Sequence, residues 1–294
     1  MTPPLRFGLV GTGHWARVTH APALTSTDGI ELTAVWGRSR AATGNLAASY
    51  QAVPHDDIDA FLADVDAVAF AVPPSVQADI AIRAAGQGKH LLLEKPIATS
   101  DENAQALAAA VAAANVASVV FFTARFQPQI RDWLTEVDAT AGWMGGTAVW
   151  LGTALQASSP FNTPWRNDKG ALWDVAPHVI SLLWASLGPV TSVTAHAGPA
   201  DITHLVLQHD GGITSTATVT LSAPAAAATA ELCLWGKPGR SAAPMKSVQA
   251  VPALRTALAE LAANAASGQV AHPCDVQFGS AINRVLADAE RQLR

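Results

Sequence analysis

Residues 7–16 read FGLVGTGHWA, an apolar run that continues directly into the pattern G-x-G-x-x-A. At the turn from a first strand to a first helix, this pattern is typical of dinucleotide-binding folds. Gly11 permits the tight turn, Gly13 lets the backbone approach a pyrophosphate, and Ala16 lets the helix pack close to the strand. Because a helix N-terminus presents N–H groups to phosphates, we expect this loop to bind a cofactor; the alternative is a ligand-free Gly-rich turn. The expected contacts are Gly11, Thr12, Gly13, His14 and Trp15.

The pattern of apolar runs around this loop predicts an α/β fold for the first part of the chain. Short β-rich runs at residues 7–10, 32–36, 67–72 and 90–93 alternate with helical patterns. Apolar strands separated by helices are typical of a doubly wound parallel sheet, which is buried on both faces. We therefore expect a nucleotide-binding domain over residues 1–122.

The alternation of predicted strands and helices ends at about residue 124, and later predicted strands follow one another closely. Runs at residues 190–196, 202–209 and 213–221 are separated in one case by the turn sequence DGG, which predicts an antiparallel hairpin. In the last of these runs four threonines alternate with apolar or small residues, so one face packs and the other meets solvent, a ligand or a second subunit. Residues 223–252 predict an irregular connection with one strand at 232–235. We expect a second, α+β domain over residues 123–294 with a large, mostly antiparallel sheet.

The amino-acid composition limits the classes of binding partner that the protein is expected to have. The 294 residues are 50% hydrophobic and 14% charged with a net charge of −5, which predicts a folded globule without the basic surface that nucleic acids or anionic membranes require. Neither an export signal nor a membrane span is recognisable, so we expect a cytoplasmic protein. Cys233 and Cys274 lack the paired spacing of a zinc site, and we expect packed thiols and no metal. A small-molecule ligand is the favoured partner.

The end of the second strand bears on which dinucleotide binds. In the fingerprint, a carboxylate about 20 residues after the loop accepts hydrogen bonds from the ribose 2′-hydroxyl of NAD. Here that place holds Gly37, followed by Arg38, Ser39 and Arg40. Guanidinium and hydroxyl donors suit a 2′-phosphate, so we predict NADP, with contacts from Arg38 and Ser39, and NAD as the alternative. A second interpretation is that these arginines solvate the start of the next helix.

Two further motifs lie at places where ligands bind in open α/β sheets. The run LLLEKP at residues 91–96 and the Pro-Pro turn after residue 72 follow strands, which favours Val72, Pro73, Glu94 and Lys95 as cofactor contacts. Later, residues 170–178 read GALWDVAPH. Together with the phosphate loop, these motifs resemble those of the Gfo/Idh/MocA oxidoreductase family over nearly the whole chain.

The resemblance implies a Rossmann domain, a second domain with an open sheet, and an active site between them. It implies that Lys95, Asp174 and His178 form the catalytic group, and that the Lys95–Pro96 bond is cis. Oxidation of a secondary alcohol requires a proton acceptor, and a histidine suits this near neutral pH. We expect Asp174 and His178 to share one helix face, with His178 as base, Asp174 orienting substrate and imidazole, and Lys95 stabilising an alkoxide.

Other features leave the substrate open. Trp165 and Arg166, just upstream of the motif, are candidate substrate contacts together with Lys95, Asp174 and His178. Gln77 and Ser181 replace a histidine and an aspartate that many relatives carry. We predict an NADP-dependent dehydrogenase acting on a sugar, polyol or related compound, as a homodimer or homotetramer. The alternatives are an NAD-dependent redox glycosidase and a non-catalytic cofactor-sensing protein.

Overall fold

The computed structural model describes residues 3–245 and 249–294, which form two compact units. The first unit runs to Phe121 and also contains Gln249–Ser280. The second contains residues from Phe122 onward and Ala281–Arg294. Among the described residues, no helix combines the length and the apolarity that a bilayer crossing requires.

A six-stranded parallel sheet forms the centre of the first unit, with the strand order β3-β2-β1-β4-β5-β6. All residues of Ala67–Phe70 and Ser118–Phe121 are buried, as the predicted double-sided packing requires. The strands are β1 (Leu5–Val10), β2 (Ile30–Trp36), β3 (Val53–His55), β4 (Ala67–Phe70), β5 (His90–Glu94) and β6 (Ser118–Phe121). The helices between them are α1 (Ala21–Ser26), α2 (Arg40–Ser49), α3 (Ile58–Ala63), α4 (Pro74–Gly86) and α5 (Asp101–Ala114).

The first helical segment starts at His14 and contains a π turn over Ala16–His20, before α1. Pro22 has no N–H and cannot continue the ordinary hydrogen-bond ladder. The N–H of Ala21 instead reaches five residues back to the carbonyl of Ala16. The predicted helix near residue 14 is therefore present but locally widened.

A second six-stranded sheet forms the core of the second unit, in the order β12-β11-β7-β10-β9-β8. Its pairings are antiparallel except between β10 and β7, so the predicted mostly antiparallel sheet is confirmed. The strands are β7 (Trp143–Leu151), β8 (Val190–Ala197), β9 (Thr203–His209), β10 (Thr214–Thr220), β11 (Thr229–Gly236) and β12 (Gly239–Ala242). The remaining helices are α6 (Pro128–Asp138), α7 (Pro164–Asp174), α8 (Ala176–Leu187), α9 (Ala250–Ser267) and α10 (Val276–Leu293).

Two expectations for the second half need correction. The segment 223–252 contains two paired strands, β11 and β12, where one was expected; part of that segment, residues 246–248, lies outside the described residues. The expected second domain over 123–294 is interrupted, because Gln249–Ser280 clusters with the first unit. Buried leucines of α9, including Leu254, Leu258 and Leu261, give that helix an apolar side, and it packs on β5, β6 and the π turn.

Candidate functional site

The phosphate loop is shaped by its glycine at residue 11. Gly11 has φ +123°, and a Cβ added there would collide with the carbonyl oxygen of Ala71. Its N–H donates to the carbonyl of Trp36 at 2.8 Å, while the N–H of Ala71 donates to Val10 at 2.8 Å. The loop is thus fixed between the ends of β2 and β4, and Val72 lies beside it. Only glycine fits this backbone without strain.

Gly13 provides the open side of the same loop. A Cβ added at Gly13 would meet nothing within 4 Å, and the residue is exposed. The Gly13 carbonyl accepts from the N–H of Arg17 at 3.2 Å, so the helical segment begins at this glycine. The side chain of Arg17 donates to the carbonyl of Thr12 at 3.0 Å. The space above Gly13, at a helix start, fits the pyrophosphate of a dinucleotide.

The end of β2 has glycine in place of the carboxylate that NAD-binding folds place there, and a larger residue would require neighbouring threonine side chains to move. A Cβ added at Gly37 would lie 2.8 Å from Cγ2 of Thr12 and 3.0 Å from Oγ1 of Thr43. Ser39 begins α2, where its hydroxyl accepts from the N–H of Ala42 at 3.3 Å. The hydroxyl proton of Ser39 is not used by that bond. Arg38 is exposed beside it.

Glu94, the last residue of β5, connects that strand with the helical segment that follows β1. Its Oε1 accepts from the indole N–H of Trp15 at 2.6 Å and lies 2.9 Å from Nε2 of the fully buried His20. Lys95 follows, half-buried, and its peptide bond to Pro96 is cis as expected. The predicted contacts at the ends of β1, β2, β4 and β5 therefore share one edge of the parallel sheet.

In the second unit, Asp174 and His178 lie on successive helices, so the expected single helix is wrong. Asp174 is the last residue of α7, and His178 lies in the first turn of α8. Pro177 cannot donate to the residue four positions earlier, which interrupts the ladder. The N–H of His178 bonds to the carbonyl of Val175 at 3.1 Å instead. Both residues are nonetheless buried, at 5% and 6% exposure.

Arg166 fixes the carboxylate of Asp174. Its Nε donates to Oδ2 of Asp174 at 2.8 Å, and both side chains are largely removed from solvent. The guanidinium lies over the ring of Trp165 at 4.6 Å and that of Phe161 at 5.6 Å. The aromatic rings and the carboxylate already restrain the Arg166 side chain. The Arg166–Asp174 pair therefore loses little further conformational freedom when a ligand binds, which means that it is preorganised. Of the two predicted substrate contacts, Arg166 thus bonds Asp174 directly, and Trp165 contacts Arg166.

His178 is held by an aromatic ring that the sequence did not indicate. Trp150 of β7 stacks on the imidazole, with ring centroids 5.1 Å apart and planes inclined by 17°. Stacking contacts a face of the imidazole and not the ring edge that carries its two nitrogens. Trp150 was missed because nothing in the local sequence relates it to His178. The available signal was its position two residues after the buried Ala148, which places both on one face of β7.

Family comparison covers most of the chain. The model described as "Oxidoreductase family, NAD-binding Rossmann fold" matches residues 5–122. The model described as "GFO/IDH/MocA C-terminal domain" matches residues 141–240. The two matches fall on the parallel sheet and on the second sheet, respectively.

Several curated relatives are named as dehydrogenases. Levoglucosan dehydrogenase of Pseudarthrobacter phenanthrenivorans is 36% identical over 140 residues, 45% of this chain and 35% of that protein. Inositol 2-dehydrogenase of Rhizobium meliloti is 32% identical over 197 residues, 66% of this chain and 58% of that protein. The chain thus aligns with less than two thirds of these relatives' lengths. Among solved structures, the WlbA dehydrogenase of Bordetella pertussis, in complex with NADH and UDP-GlcNAcA, shares the fold with a TM-score of 0.85 at 22% identity, covering 98% of this chain and 96% of that one.

Proposed function

The chain belongs to the Gfo/Idh/MocA oxidoreductase family, and from this we propose that it transfers hydride between NADP(H) and a hydroxyl or carbonyl group of a sugar, polyol or related small molecule. The observation that carries the proposal is the preorganised pair of side chains in the second unit. Arg166 holds the Asp174 carboxylate, and Trp150 holds the His178 imidazole. A fixed carboxylate and a stacked imidazole suit the orientation and deprotonation of a substrate hydroxyl.

Each catalytic side chain has one proposed task. His178 accepts the hydroxyl proton through a ring nitrogen as the alcohol is oxidised, and returns it in the reverse direction. Asp174 accepts a hydrogen bond that orients the substrate, with its own rotation fixed by Arg166. Lys95 stabilises negative charge that develops on the substrate oxygen. These assignments of Lys95, Asp174 and His178 to one substrate are part of the proposal.

The cofactor contacts are proposed on the sheet edge described above. The loop from Gly11 to Trp15 would hold the pyrophosphate, while Val72, Pro73 and Glu94 would line the path to the nicotinamide. When bound, the nicotinamide supplies the hydride acceptor or donor. The helix start at Gly13 and its open side support this placement.

The preference for NADP rests on the end of β2. Residue 37 is glycine and Thr12 and Thr43 pack against it, so the carboxylate that usually binds an unmodified ribose is missing. Arg38 and the hydroxyl of Ser39 are donors that suit a 2′-phosphate. Arg40 contributes less, because it already lies 3.9 Å from the carboxylate of Asp56.

Fluorescence titration with NADPH and NADH tests the cofactor assignment. We expect tighter binding of NADPH, and Arg38→Ala to weaken it by about 10- to 100-fold with NADH affinity unchanged. Arg255→Ala, an exposed arginine on α9 of the same unit, is the matched control. Tighter NADH binding would overturn the NADP assignment. Binding of neither would overturn the dehydrogenase proposal.

Net reduction of NADP⁺ in the presence of a polyol and sugar panel tests the reaction. The panel includes myo-inositol and levoglucosan, because relatives are named for these compounds. We expect absorbance at the reduced-nicotinamide band to rise with at least one compound. Conversion of a glycoside without net change in the cofactor would instead favour a redox-neutral hydrolysis. The expected homodimer or homotetramer stays a prediction.

A further inference from the structure

One buried side chain outside the predicted site makes four hydrogen bonds to a single turn. Gln77 lies in the first turn of α4 and is fully buried. Its Nε2 donates to the carbonyls of Glu94 at 2.8 Å, Ile97 at 3.2 Å and Pro96 at 3.3 Å. Its Oε1 accepts from the N–H of Glu94 at 2.8 Å. Both ends of the carboxamide are therefore used.

These four bonds lie on both sides of Lys95. The turn after β5 leaves the sheet, so its backbone polar groups need partners other than strand neighbours. Gln77 supplies such partners before and after the lysine, at Glu94 and at Pro96 and Ile97. The carboxamide thus restrains the peptide units that flank Lys95.

The same turn is tied a second time through the Glu94 side chain. That carboxylate accepts from Trp15 and lies against His20, both in the helical segment after the phosphate loop. The residue that precedes Lys95 is therefore connected to α4 through its backbone and to the phosphate-loop segment through its carboxylate. The positional precision of a reactive group depends on such support from neighbouring residues.

We propose that Gln77 is a positioning residue for Lys95, acting through the backbone of the turn and touching neither substrate nor cofactor. The proposal rests on the proposed function, in which Lys95 stabilises charge on the substrate oxygen. It goes beyond it by assigning a role to a residue outside the proposed catalytic and cofactor-binding set. Loss of the carboxamide should displace the ammonium while leaving the phosphate loop intact.

A double-mutant cycle separates positioning from general stability. Gln77→Met removes the four bonds with little change of size, and Lys95→Met removes the group to be positioned. We expect Gln77→Met to lower kcat by about 10- to 100-fold for whichever panel compound is oxidised, and to have no further effect in the Lys95→Met background. The Kd for NADPH should stay within about twofold in Gln77→Met, because Gln77 touches neither the cofactor nor the phosphate loop.

Gln87→Met is the matched control, because Gln87 is exposed at the end of the same helix. It should change neither kcat nor the rate of hydrogen–deuterium exchange in the peptide that covers residues 92–98. An equal loss of kcat from Gln77→Met in both the Lys95 and the Lys95→Met backgrounds would overturn the proposal in favour of a merely structural role. If Gln77→Met does not fold, Gln77→Asn, which keeps the amide on a shorter arm, takes its place in the cycle.

Hydrogen–deuterium exchange gives a readout that needs no substrate. The N–H of Glu94 donates to Gln77, so the peptide covering residues 92–98 should exchange faster in Gln77→Met than in the unmodified protein. If no panel compound is oxidised, the proposed function fails while this measurement still decides whether Gln77 holds the turn. Unchanged exchange in that peptide would overturn the positioning role.

Discussion

The phosphate loop and the Asp174–His178 segment are built in different ways. The loop is defined by its backbone. Gly11 is required by its positive φ and by the nearby carbonyl of Ala71, and Gly13 leaves open space beside the chain. The Asp174–His178 segment is defined by contacts between side chains, because Arg166 orients Asp174 and Trp150 stacks on His178. A backbone site is specified by residue types at fixed spacing, whereas a side-chain site depends on partners that the fold brings in.

The largest expected effect concerns the side-chain site. His178→Gln should lower kcat by about 10²- to 10⁴-fold for an oxidised panel compound, because a glutamine cannot accept the hydroxyl proton. The Kd for NADPH should not change, because the phosphate loop belongs to the other unit. Steady-state kinetics and fluorescence titration measure the two quantities. His196→Gln, an exposed histidine of β8, is the control, and a His178→Gln enzyme within threefold of full activity would contradict the role of base.

A smaller effect separates the two glycines of the backbone site. Gly11→Ala should lower the free energy of unfolding by about 2–4 kcal/mol, through backbone strain and the collision with Ala71. Gly13→Ala should leave the free energy of unfolding nearly unchanged and weaken NADPH binding by tenfold or more, because its methyl group enters the open space that the pyrophosphate needs. Urea unfolding and fluorescence titration distinguish them. Equal destabilisation by both substitutions would show that the loop is not divided into a packed and an open side.

The same contrast explains how much the sequence could predict. The parallel sheet, the loop and the mostly antiparallel sheet follow from apolar periodicity and glycine spacing, which are local properties. The single helix expected through Asp174 and His178 failed at Pro177, although proline is itself a local signal. The stacking of Trp150 and the four bonds of Gln77 were out of reach, because each joins residues 17 or more positions apart that only the folded chain brings together.

The placement of α9 shows the same limit at the level of domains. Its apolar positions indicate a helix with a buried side, but they do not say which sheet it covers. The chain passes through the whole second sheet before α9 returns to β5 and β6 of the first unit. The boundary near residue 122 was predicted from a change in the pattern of strands and helices. Such a change marks where the chain leaves the first unit, but it does not indicate that a later segment returns to that unit.

The smallest expected effect tests whether a buried histidine outside the site contributes to stability in the second sheet. Burial lowers the pKa of His209, against the opposing influence of its 2.8 Å contact with the carbonyl of Gly188. A histidine whose pKa is depressed on folding stabilises the native state above its unfolded value of about 6.5, and this stability is lost as the pH falls below that value. His209→Asn should therefore make the free energy of unfolding less dependent on pH between 7.5 and 5.5, measured by urea unfolding. Its contact with Ser215 is also lost, which should cost about 1 kcal/mol at pH 7.5. His196→Asn on the exposed part of β8 is the control, and an unaltered pH dependence in His209→Asn would show that the buried imidazole is not responsible for acid sensitivity.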